Sequence, residues 1–205
     1  MATQVRMNPR WHRNDLGAEG PMLRGHAVSS TVGAGEEPYI KETAAQVYDV
    51  SDLVFFDTNG TIAVCTVTTS RLDSAILGLA ARDATGTTGA PAFVNVIRES
   101  DVYMMNVFHS TLALSVTNQD QLGDVRGIIL TGTVGTDSKW HVDIENAVEG
   151  GADSLARVKI VGFPVQTKQN NVVSTIGDTH GLVLVKFLPF SAASDFLPFQ
   201  RILQG

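Results

Sequence analysis

From about Tyr39 the chain is a series of short apolar or alternating runs. Glycine, proline, asparagine and aspartate break them up, which is the punctuation of a β-protein. "DLVFF" meets the turn signal "DTNG", and "TIAVCTVTT" follows. Asn59 and Gly60 both tolerate positive φ, so these runs predict a hairpin. "GIILTGTV" and "KWHVDI" flank "GTDS" and predict a second hairpin. Further strands are expected over "AILGLAA", "PAFVNVI", "DVYMMNVF", "TLALSV", "ARVKIVGFPV", "NVVSTI" and "GLVLVKFLPF". Ser70 and Asp73 have the spacing of a helix capping box, but Gly78 and the following Gly/Thr run would cut a helix short, so a strand is preferred there. Residues 117–126 read as a loop or short helical turn. The pattern predicts an all-β fold, a mainly antiparallel β-sandwich or barrel-like domain, with an extended N-terminal arm and an apolar C-terminal tail.

Three regions follow: an arm over 1–38, a β-rich domain over 39–190 and a tail over 191–205. Within the domain, each predicted hairpin is followed by a connection and an apolar run with a central glycine, Gly78 or Gly162. That order suggests two related β-halves. The arm, around "MNPRWHRNDLGAEGPMLRGHAV", shows neither helical nor strand periodicity. Trp11, Met22 and Leu23 are large contact groups, while Pro9, Gly17, Gly20, Pro21 and Gly25 keep the chain extended. Ordering such a segment costs on the order of 1–2 kcal/mol per residue in backbone entropy. It is expected to recover that cost by adding a strand to a neighbouring chain, in preference to wrapping its own domain. Removing residues 1–30 should then leave the domain folded. Phe190 at the end of the domain and Phe196, Leu197, Phe199, Ile202 and Leu203 in the tail form an apolar end, and Pro198 rules out one continuous helix.

Composition narrows the function classes. The chain has 205 residues, a net charge of −6 and a sequence pI near 5.3, against wholesale nucleic-acid binding. Over residues 1–30, Arg6, Arg10, Arg13 and Arg24 outnumber Asp15 and Glu19, so a mildly basic start precedes an acidic body. The single cysteine, Cys65, sits among apolar residues and reads as a buried, inert thiol. No apolar run is long enough to span a membrane. No apolar leader segment follows Met1, so a soluble protein made in a reducing compartment is expected.

Candidate chemistry is sparse. His12, His26, His109, His141 and His180 fall in no metal-binding spacing. Asp178 and His180 in "GDTHG" could orient an imidazole for general-base work, but the stretch also reads as a turn, and the turn is preferred. His109 and Ser110 are adjacent and would point to opposite faces of a strand. His141 alternates with Trp140 and is expected to face solvent or a subunit interface. "GTTGAP" and "GAGEEP" lack the residues of a phosphate-binding loop. Asp49, Asp52 and Asp57, and Asp120 with Asp124, read as solvated loop charge. No catalytic residue, cofactor or metal is expected, and an enzyme is disfavoured.

The stretches "ILGLAARDATGTTGAPAFVNVI", "VYMMNVFHST", "KWHVDI", "RVKIVGF" and "GLVLVKFLPF" resemble decoration (cement, head-stabilising) proteins of tailed-bacteriophage capsids. The resemblance implies a non-enzymatic virion protein made in the host cytoplasm and seated on the outer capsid surface. Its partner would be the major capsid protein, whose adjoining subunits it would clamp, with no direct nucleic-acid or membrane contact. It implies a homo-oligomer, a trimer in preference to a dimer, with arms reaching onto neighbours. Arg10, Trp11, Arg13, Met22, Leu23, Arg24, Phe196, Leu197 and Phe199 are the expected partner contacts. The alternatives are a head-completion or tail protein of the virion, and a hydrolase domain using Asp178 and His180.

Overall fold

The computed structural model describes residues 6, 9–14, 22–24, 40–56, 61–66, 76–98, 100–134, 136–147, 157–164 and 174–188. The described residues contain strands and two short 3-10 turns, Leu112–Leu114 and Gln119–Gln121, but no α-helix. β1 (Arg10–Asn14) belongs to the arm. The first half contains β2 (Met22–Arg24), β3 (Leu53–Phe56), β4 (Ile62–Val64), β5 (Ile76–Ala80) and β6 (Val94–Val96). The second half contains β7 (Asp101–Phe108), β8 (Val125–Thr131), β9 (Lys139–Ala147), β10 (Arg157–Gly162) and β11 (Leu182–Phe187).

The two halves share one strand order. The first runs β2-β6-β5-β3-β4; the second runs β7-β11-β10-β8-β9, with β1 added outside β7. Every corresponding neighbour pair is antiparallel. The second half closes into a barrel where the end of β7 meets β9 in parallel, Val107 opposite Val142 and Phe108 opposite Asp143. The first half closes through residues 40–42, which bridge to β4 in parallel (Glu42 opposite Ile62) and to the approach of β6 in antiparallel (Lys41 opposite Pro91). Ile62 N–H donates to the Lys41 carbonyl at 2.8 Å, and Ala92 N–H donates to Ile40 at 3.0 Å. Along β6, β2 and residues 40–42 therefore act as two pieces of one first strand, interrupted by residues 25–39. β7 makes the same contacts as a single strand.

Alternation explains the cores. Tyr103, Met105 and Val107 on β7, Trp140 and Val142 on β9, and Val183, Val185 and Phe187 on β11 share one buried cluster. Successive strand residues face opposite sides, so these odd- and even-numbered sets select the barrel interior. Leu53, Phe55, Cys65 and Leu79 of the first half join that cluster. The opposite face of the first half, with Val54, Ile62, Ala80, Val94 and Val96, forms a second cluster with Ile40 and Tyr48. Gly78 is required where β5 pairs with β6, because a Cβ there would clash with the Asn95 carbonyl oxygen. The link between halves is short and clasped: Arg98 Nε and a terminal nitrogen donate to the two carboxylate oxygens of buried Asp101, at 2.9 and 2.8 Å.

The fold is all-β and mainly antiparallel, as the patterning predicts, and both predicted hairpins pair as β3–β4 and β8–β9. Two strand expectations are corrected. "TLALSV" forms a 3-10 turn plus an isolated bridge at Val116. Both edges of β7 are already taken where that stretch begins, so it has no ladder to join. Of "NVVSTI", residues 174–176 lie in a loop and turn, and the rest is outside the described residues. Residues 10–14 and 22–24, read as part of an extended arm without strand periodicity, are paired into the two sheets. No helix among the described residues is long and apolar enough to cross a membrane.

Candidate interaction surfaces

The arm carries most of the predicted partner contacts. β1 runs antiparallel to β7, with Arg10 opposite Met104, Trp11 opposite Tyr103 and Arg13 opposite Val102. β2 runs antiparallel to β6, placing Met22, Leu23 and Arg24 opposite Val96, Asn95 and Val94. The expectation that this segment adds a strand to a neighbouring chain is corrected for these residues, since their backbones pair within the chain. The physical reason is edge supply. β9 covers β7 only at 107–108 and residues 40–42 cover β6's edge only at 90–92, so open ladder remains on both. The arm fills it, and Arg10 stays exposed. Phe196, Leu197 and Phe199 lie outside the described residues.

At one end of the second half, the loop joining β7 to β8 is knitted to the loop entering β11. Val116 bridges Thr179, Gly177 N–H donates to the Thr117 carbonyl at 2.8 Å, and His180 N–H donates to the Ser115 carbonyl. "GDTHG" is a turn, and Asp178 stabilises it by accepting from the Thr175 N–H at 2.9 Å and the Thr175 hydroxyl at 3.1 Å. Ser115 Oγ lies 2.8 Å from His180 Nδ1 and donates to the Val107 carbonyl at 3.3 Å. The Asn106 side-chain amide donates to the His180 carbonyl. A serine–histidine contact is thus present, but it joins different residues from the adjacent His109–Ser110 pair. Both side chains are buried and fasten the loops to β7. A serine nucleophile must meet its substrate, which this enclosed hydroxyl does not do.

His109 and Ser110 have separate roles. His109 Nδ1 accepts from the Thr111 N–H at 2.9 Å, while the Ser110 N–H and hydroxyl both donate to Glu145. Those two bonds hold the Glu145 carboxyl below its ordinary range.

His141 is fully buried, which corrects its expected exposure. It lies on the outside of the barrel, as alternation with Trp140 requires, but that face is covered. Its ring stacks against Phe108 at 5.8 Å between centroids, and Phe108 also stacks against His180 at 6.3 Å. Nε2 is 2.8 Å from Thr131 Oγ1, and Nδ1 has no hydrogen-bond partner among the described residues. Burial, and then the charge of Arg6, lower its pKa to about 3. Arg6 precedes β1, so the arm reaches this closure seam as well.

The first half repeats the loop arrangement around Glu42. This buried carboxylate accepts from the Thr85 N–H at 2.9 Å, the Thr85 hydroxyl at 2.9 Å and the Tyr48 hydroxyl at 3.3 Å. Ala84 N–H donates to the Tyr48 carbonyl, and the Val50 N–H donates to Asp83. The loop joining residues 40–42 to β3 is thereby tied to the loop entering β6, as its counterpart is in the second half. Burial, and next the charge of Glu42, push the Tyr48 phenol well above its usual value. The positive-φ non-glycine residues among those described are Ala45, Ser51 and His180, all on these paired loops.

Other sequence candidates resolve individually. Cys65 is buried, and its thiol is pushed up by desolvation. Asp52, expected to be solvated, is buried and accepts from the Asp49 N–H and the Ser138 hydroxyl; Asp57 lies outside the described residues. Asp124 pairs with Arg126 at 2.6 Å. No group of three or more His, Cys, Asp or Glu suited to a metal occurs among the described residues. Sequence reasoning missed Glu42 and Ser115. A lone charge in "YIKETAA" and a serine in an apolar run were the available signals, and neither marks a loop anchor.

No protein family matches this chain, and neither a curated protein nor a solved structure does.

Proposed function

We propose that this chain is a non-enzymatic virion structural protein. It binds the outer surface of a tailed-phage capsid and clamps adjoining subunits of the major capsid protein. One observation supports the reading beyond the sequence resemblance: two halves of like strand order are joined by a clasped link and share one core. β1 adds to the second half and β2 to the first, so the arm laces both into one body. A stiff body with two like halves suits bridging two identical neighbours, because little conformational entropy remains to be lost on binding. The resemblance further suggests a homo-oligomer, a trimer before a dimer. A hydrolase at Asp178 and His180 fits less well, since Asp178 holds its own turn and the Ser115–His180 contact is enclosed.

Light scattering on the purified chain, followed by co-sedimentation with expanded, undecorated heads of the encoding phage, tests the reading. Saturable binding in hundreds of copies per head is expected. Binding in about six or twelve copies would move the chain to a head-completion or tail role, and no binding would overturn capsid attachment.

A further inference from the structure

The exposed large aliphatic residues among those described are confined to the paired loops. They are Val47 and Val50 in the first half and Leu112, Leu114, Leu122 and Ile176 in the second, each 49% to 61% exposed. Five of the six lie on one element, the loop joining the first to the second strand of each half. Those loops are residues 43–52 and 109–124, and the shared strand order makes them equivalent. Ile176 lies on the loop knitted to the second of them. A soluble surface scatters single apolar residues at random, whereas confinement to equivalent places marks an interaction site.

Charge adds a second constraint. Neither loop contains a lysine or arginine, and each carries an exposed aspartate, Asp49 in one and Asp120 in the other. Exposed Asp83 stands beside the first loop, where it accepts from the Val50 N–H at 2.9 Å. Exposed Glu145 stands beside the second and is held by Ser110. Cations stand farther out: Arg82 lies over the Phe93 ring at 4.1 Å, Lys41 precedes the first loop, Arg126 pairs with Asp124 at 2.6 Å, and Lys159 lies opposite Val125. Both loops thus offer an apolar centre flanked by exposed carboxylates. Two such loops meeting face to face would bring like charges together, so the complementary surface is apolar with a basic rim.

We infer that these two loops are equivalent half-sites, and that each engages the same apolar, basic-rimmed patch on one of two adjoining major capsid protein subunits. The inference rests on the capsid-binding reading and deepens it. It moves the contact from the arm and tail to the two loops, and it sets a stoichiometry of one chain per two capsid subunits. Buried anchors pre-set both loops. Glu42 fixes one through Thr85 and Tyr48, and the Ser115–His180 contact fixes the other.

The test uses the full chain with expanded, undecorated heads. V47S/V50S alters one half-site, L112S/L114S/L122S alters the other, and a combined variant alters both. All five positions are exposed, so thermal melts should match the unmodified chain. Losing one arm of a bivalent contact removes its avidity, so each partial variant should bind at least about tenfold more weakly, to a similar degree. The combined variant should lose saturable binding, and added salt should weaken the unmodified chain. Unchanged binding by the folded variants, or a loss caused by only one loop, overturns the inference and leaves capsid attachment standing. Failure of the unmodified chain to bind heads overturns both.

Discussion

His141 makes the fold acid-labile at an identifiable position. The folded chain holds the ring neutral, with a pKa lowered from 6.5 to about 3 by burial and by the charges of Arg6, His180 and Lys139. The unfolded chain takes up a proton near the ordinary value. Stability is therefore fully present above pH 6.5 and is lost as pH falls toward about 3, with no further loss from this group below that. At about pH 5 the unfolded state gains about 2 kcal/mol from this one proton, since a unit of pKa is worth about 1.4 kcal/mol. His141→Phe removes the titration and keeps a ring of similar size against Phe108. It also removes the unpaired Nδ1, while the Thr131 hydroxyl retains the Lys139 carbonyl at 3.4 Å. Urea unfolding of both proteins at about pH 7 and about pH 5 isolates the effect, because every other titrating group is common to both. The unmodified chain should lose about 2 kcal/mol more on acidification than His141→Phe. Equal losses would refute a neutral, enclosed His141.

Three further outcomes are expected. Gly78→Ala places a Cβ against the Asn95 carbonyl and should cost about 3 kcal/mol, read as a fall in thermal midpoint of about 2–4 °C per kcal/mol. Glu42→Gln turns amide hydrogens toward the Thr85 N–H and should cost about 2–3 kcal/mol; a melt unchanged from the unmodified chain would show that the carboxylate is not the anchor. Deleting residues 1–30 removes β1 and β2, exposing ladder on β7 and β6, so it should lower the thermal midpoint and promote association through the bared edges. A truncated chain that melts like the full one would show that the arm strands add nothing to stability.

The β class and both hairpins were legible because alternation and turn residues are local signals. Closure of the first half was not legible. Residues 40–42 are too short to register as a strand, and their counterpart β2 lies on the far side of residues 25–39 in the sequence. Leu112 and Leu114 alternate as a strand would, yet both are exposed, because periodicity cannot tell that no free edge remains. His141 shows the complementary limit. Its period correctly places it outside the barrel, but Phe108, stacked between it and His180, covers that outside, and Arg6 of the arm is near enough for its charge to act on the ring. The arm itself was composed of turn formers without a period, and its pairing follows from ladder left open elsewhere in the fold.

The split first strand separates the two halves in time. β7 is continuous, so the second barrel can close using strands drawn from one stretch of chain, residues 101–187. The first half must bring β2 and residues 40–42 together across a 15-residue interval before its ring is complete. Closing such an interval costs about 2 kcal/mol in chain entropy, added to the loops between successive strands that both halves must close. The second half should therefore nucleate folding and supply the shared core face onto which Leu53, Phe55 and Leu79 condense. Substitutions in β7 or β11 would then slow folding, whereas substitutions in β2 would mainly speed unfolding. On the ribosome this order runs against synthesis: the half that emerges first waits for the half that emerges last, with its apolar face uncovered until the second barrel is made.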